Sequence, residues 1–189
     1  VKFVYCGVWI FKGWKKDNYG ELEKTESDEL LERIKAYAKE EKELLDREYK
    51  YLHSLKEHIG KEDYKSANET MSMVKRSENA AEVFEKRIES NLSLLITSIQ
   101  EPQLKSLITN IKKELISHAR SLAEFTSKDE KYIKEGISYL IENSLKKDGE
   151  YNKIESAVQK IVGQAINTLM ALKRELDKLL NLEKHISRK

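Results

Sequence analysis

From Asp63 to Gln100 the apolar residues recur in steps of three and four: Ala67, Met71, Val74, then Ala81, Phe84, Ile88, Leu92, Leu95 and Ile99. That spacing lays one stripe along one side of an α-helix. No Gly or Pro interrupts it, and a helix of this length would run about 57 Å. A single amphipathic rod cannot bury its stripe alone, so the remaining helices are expected to be its packing partners.

The same periodicity continues on both sides. A first helix is expected from about Asp28, capped by Thr25 or Ser27, with the line Leu30, Ile34, Tyr37, Leu44/Leu45, Tyr49, Leu52, Leu55 and Ile59. Gly60 is placed just past its C-terminus. The short turn that follows makes the first two helices an antiparallel hairpin. Pro102 suits the first turn of a third helix, which follows Leu104, Ile108, Ile111, Leu115, His118, Leu122 and Phe125. Ser127-Lys128-Asp129-Glu130 reads as a capping box that opens a fourth helix along Ile133, Ile137 and Leu140. A last helix uses Tyr151, Ile154, Val158, Ile161, Ala165, Leu169, Leu172, Leu176, Leu179 and Ile186, with Gly163 inside it.

The fold class expected is therefore all-α: an elongated antiparallel up-down bundle of four long rods, the third broken near Thr126-Ser127. Five separate helices are the alternative. The four-rod form is preferred because the third and fourth segments together match the other rods in length. Composition agrees. One Pro and 7 Gly in 189 residues leave too few turns for a sandwich, barrel or α/β fold. Hydrophobic residues are 39% and charged residues 36% of the chain, the balance of a slender bundle with a narrow core. The formal net charge of +2, from 35 Lys+Arg and 33 Asp+Glu, argues against a protein that holds nucleic acid by charge alone. Lys/Glu richness with one Cys is a thermophile-like bias. The lone Cys6 allows no internal disulfide, and a cytoplasmic setting is expected.

Residues 1–14 differ from everything after them, and with the polar stretch to residue 26 they are read as a unit apart from a bundle domain over 27–189. Phe3 to Phe11 is almost wholly apolar, and Tyr5, Trp9 and Trp14 add large amphipathic rings. It is too short to span a bilayer and lacks the layout of a secretory signal. It suits docking on the bundle, on a second copy, or on a membrane surface beside Lys12, Lys15 and Lys16.

Polar residues at seam positions are the candidate chemistry. Glu41, Glu78 and His118 fall at similar heights on the first three helices, and Glu114 stands one turn before His118. Facing carboxylates with a histidine are the raw material of a bundle-core metal site. None of the four histidines has Glu three residues earlier, so the di-iron pattern is absent, and no metal or other cofactor is expected. A polar layer that fixes helix register is the plainer reading. Cys6 lies in apolar surroundings that disfavour its thiolate, and neither a phosphate loop nor a nucleophile elbow occurs. A catalytic function is not expected.

Two features point to protein–protein interaction or assembly, with a homodimer as the working form. The apolar surface around Leu94 and Ile96 is wider than one seam needs, and the aromatic N-terminal residues Phe3, Tyr5, Trp9, Phe11 and Trp14 need a partner surface. Alternatives are a nucleic-acid accessory protein using the basic residues near both ends (Lys12, Lys15, Lys16, Lys173, Arg174, Lys178, Lys184, Arg188, Lys189), and a peripheral membrane protein held by residues 1–14.

Overall fold

The computed structural model describes Lys15–Lys16, Leu22–Glu23 and residues 26–182. Within the polar stretch that precedes the bundle, β1 (Lys15–Lys16) pairs antiparallel with β2 (Leu22–Glu23). The rest is helical: α1 (Glu26–Gly60), α2 (Tyr64–Ser98), α3 (Pro102–Glu124), α4 (Glu130–Glu142) and α5 (Gly149–Leu180). The fold is the all-α bundle that the periodicity indicates. α1 lies along α2, α3 and α4 follow on the far side of α2, and α5 closes the ring between α4, α3 and α1.

The third rod is continuous. A π-helical turn at Phe125–Asp129 joins α3 to α4, so the preferred four-rod form is the one found and the break is a bulge. The reason lies in the seam. Buried residues keep three-and-four steps from Leu104 to Phe125 and again from Thr126 to Leu140, and the adjacent buried pair Phe125 and Thr126 marks one extra residue between the series. A π turn absorbs one such residue without ending the helix. Thr126 and Ser127 donate their hydroxyls to the carbonyls of Ala123 and Glu124. The expected capping box is not formed, because Glu130 turns to lysines instead.

The helix ends follow from local chemistry. The Asp63 side chain accepts from the Ser66 amide and starts α2, and Asp148 accepts from the amides of Glu150 and Tyr151 to start α5. Gly60 is the last residue of α1 and not the one beyond it. The left-handed position of that turn falls on Glu62, with φ 60°. Its carboxylate takes a 2.5 Å bond from Lys147 of the α4–α5 turn, itself at φ 40°. The two turns are thereby tied at one end of the bundle. Just inside them the Tyr64 and Tyr151 hydroxyls share a hydrogen bond, and both rings are buried.

Candidate functional site: carboxylates inside the hairpin seam

The seam of α1 runs Ile34, Ala38, Glu41, Leu45, Glu48, Leu52, Leu55, Ile59, and that of α2 runs Ala67, Met71, Val74, Glu78, Ala81, Glu85, Ile88, Leu92, Leu95, all buried. Both lines alternate steps of four and three, the coiled-coil seam spacing. In the middle of each helix two glutamates stand seven residues apart. Antiparallel pairing sets Glu41 against Glu85 and Glu48 against Glu78, with Leu45 and Ala81 between the pairs. Helical side chains lean toward their own N-terminus, so Glu48 and Glu85 tilt toward one another over that layer. The result is two facing pairs, one on either side of that layer, that act on each other electrostatically.

Glu41 and Glu48 are wholly buried, and Glu78 and Glu85 are 2% and 8% exposed. Both oxygens of Glu41, Glu48 and Glu78, and one of Glu85, meet no donor from elsewhere in the protein. A carboxylate so placed keeps its charge only at high cost. Burial is the first cause that pushes the acids up, to about 9 for Glu41, about 8 for Glu85 and about 7 for Glu78. Glu48 is driven well above the ordinary range by the same burial. Mutual repulsion adds to this for Glu41, Glu48 and Glu85.

The sequence places Glu41 and Glu78 correctly in the seam but misses Glu48 and Glu85. The expected line ran through Tyr49 and Phe84, the adjacent apolar residues. These are only half-buried, and Tyr37 and Phe84 pack against each other at the edge with 6.2 Å between ring centroids. The signal that could have found the pair was the strict 3-4 count, which passes through 48 and 85 whatever residue stands there. His118 is also displaced. Ala119 takes the seam position on α3, while the His118 imidazole lies at the edge, 3.7 Å from Glu114. Glu114 and His118 pair with one another at the edge of α3. Among the described residues, no three His, Cys, Asp or Glu side chains come together so as to hold a metal ion.

A fifth acid makes the contrast. Glu130 at the start of α4 is 6% exposed, yet it receives Lys75 and Lys134 at 2.6 Å each. Burial works to raise its pKa, but the two ammonium groups outweigh that and hold it below the usual range.

The other candidates are distributed as follows. Phe3, Tyr5, Trp9, Phe11 and Trp14 lie outside the described residues, as do Lys12, Lys184, Arg188 and Lys189. Lys173 is paired with Asp46 and Lys178 with Glu175. Ile96 is half-buried against the core, whereas Leu94 is 57% exposed. Leu94 belongs to a second 3-4 line on the outside of α2: Met73, Arg76, Ala80, Val83, Arg87, Ser90, Leu94 and Thr97. Of these only Ala80 is not exposed. The line is about 36 Å long, with two arginines and no carboxylate. Among the described residues no helix is long and apolar enough to cross a membrane. Comparison with protein-family models, with curated proteins and with solved structures gave no match.

Proposed function

We propose that the chain is a non-enzymatic assembly protein that pairs with a second copy of itself through the outer line of α2. The observation that carries this reading is the second 3-4 repeat, Met73 to Thr97, on the solvent side of a helix whose inner seam is already filled. A two-fold antiparallel pairing of the line, centred near Glu85, sets Arg76 opposite Leu94, Ala80 opposite Ser90, Val83 opposite Arg87 and Met73 opposite Thr97. Each guanidinium then meets an apolar side chain and not a second guanidinium, and the small residues meet where the helices come closest. Such self-complementarity is what an isologous contact requires.

The test is solution mass by light scattering on the full chain and on the Val83→Glu/Leu94→Glu variant. Both residues are exposed, so the fold tolerates the change. The reading expects a dimer for the unaltered chain and a monomer for the variant. A monomeric mass for the unaltered chain at micromolar concentration overturns it.

A further inference from the structure

We propose that the middle of the α1–α2 hairpin is a proton-operated latch, closed while Glu41, Glu48, Glu78 and Glu85 hold protons between them and loosened when those protons leave to solvent. Geometry carries the argument. The four carboxyls face one another across the seam in two pairs, and seven of their eight oxygens find no other donor. Each pair is closed by a proton when one or both members are neutral. When all four ionise, two negatively charged pairs stand in a seam with little access to water, Glu85 alone reaching a surface groove, and separation of the helices relieves them.

The charges around the cluster do not replace those protons. On α2 itself, Glu82 adds repulsion for Glu78 and Glu85, and Lys86, bound to Glu82 at 2.6 Å, offsets the push on Glu85 only in part. On the α3 side, Arg120 lines a shallow groove beside Glu85 together with Glu82 and Glu89. The α5 residues Lys173 and Asp177 are taken by Asp46 and Lys42 on the flank of α1. On α4, Glu130 captures Lys75. The upward push on all four acids agrees with this placement.

The sign follows from linkage. The folded protein binds protons that the unfolded chain has already released above about pH 4.5, so the contribution of the quartet to stability is complete below that pH. It falls away from about pH 4.5 upward and is exhausted once pH has passed the folded values of about 7 to 9. The experiment is the thermal midpoint of the full chain across that window, beside the variant Glu41→Gln/Glu48→Gln/Glu78→Gln/Glu85→Gln. The latch predicts a fall of about 10 °C or more for the unaltered chain and a nearly flat profile for the variant. Amide protection, taken relative to the intrinsic base-catalysed exchange rate at each pH, should fall with pH in residues 38–52 and 74–88 and much less in α5. Should the quadruple variant not fold, the pair variants Glu41→Gln/Glu85→Gln and Glu48→Gln/Glu78→Gln serve, each removing part of the fall. Parallel profiles in unaltered and variant proteins overturn the latch. So does a midpoint raised by millimolar manganese or zinc in the unaltered chain alone, because a cation and not a proton would then neutralise the site.

Discussion

Glu78 and Glu130 are both buried carboxylates, and Lys75 lies one helical turn from the first, yet its ammonium goes to the second. Lys75 occupies the flank of α2 that meets α4, where its head stays half in water while reaching Glu130. It cannot turn into the seam without burying its own charge. Glu130 thus remains a carboxylate clasped by two cations, while the seam acids are driven toward the neutral form. Burial alone does not decide the charge of a carboxyl group. What decides it is whether a cation can approach from a position that remains solvated.

The comparison breaks most sharply if the seam acids are made apolar. Glu41→Leu/Glu48→Leu/Glu78→Leu/Glu85→Leu fills similar volume without a polar atom, and should raise stability by about 4 kcal/mol in mildly alkaline solution. The gain in urea-unfolding free energy should shrink below about pH 5, where the glutamates are neutral in both the folded and the unfolded chain. The reverse experiment makes Glu130 resemble the seam. Lys75→Met/Lys134→Met removes both partners and should cost about 2 kcal/mol near neutral pH, less than for a fully enclosed pair because both lysines are half exposed. The sign of the pH dependence from Glu130 should also invert. Its lowered acid now adds stability above the ordinary range that is lost as pH falls; without the lysines, stability should be lost as pH rises. Urea midpoints at acid and neutral pH measure both effects.

The bundle was legible because helical period and scarce breakers speak for themselves: the hairpin, the Pro102 start and the four-rod count all follow from them. The π turn was not, since a one-residue phase slip looks like a helix end when a Ser-x-x-Glu motif coincides with it. Only the position of Glu130 against Lys75 reveals that the motif is not a cap. The quartet was half legible for a related reason. A search for apolar residues steps aside to Tyr49 and Phe84, because a glutamate in a core is the costlier assumption. The heptad count keeps to Glu48 and Glu85, and the count was the better guide.

Two glycines test the comparison at finer scale, by asking how closely α4, the helix that carries Glu130, is fitted against α5. Gly136, on α4 with Glu130, is pressed against α5: an added Cβ would stand 2.7 Å from Val158 Cγ2. Gly136→Ala should therefore destabilise by about 1.5 kcal/mol, the gain in helix propensity being outweighed by the displaced valine. Gly163 carries the same letter in the middle of α5, and an added Cβ there would meet nothing within 4 Å. Its cost is purely conformational, so Gly163→Ala should stabilise by about 0.8 kcal/mol. Opposite shifts of the urea midpoint would show that α4, where buried groups have their partners, is also closely packed. If Gly136→Ala stabilised as Gly163→Ala should, α4 would have room against α5 at that point and the close approach to Val158 would not be a tight fit.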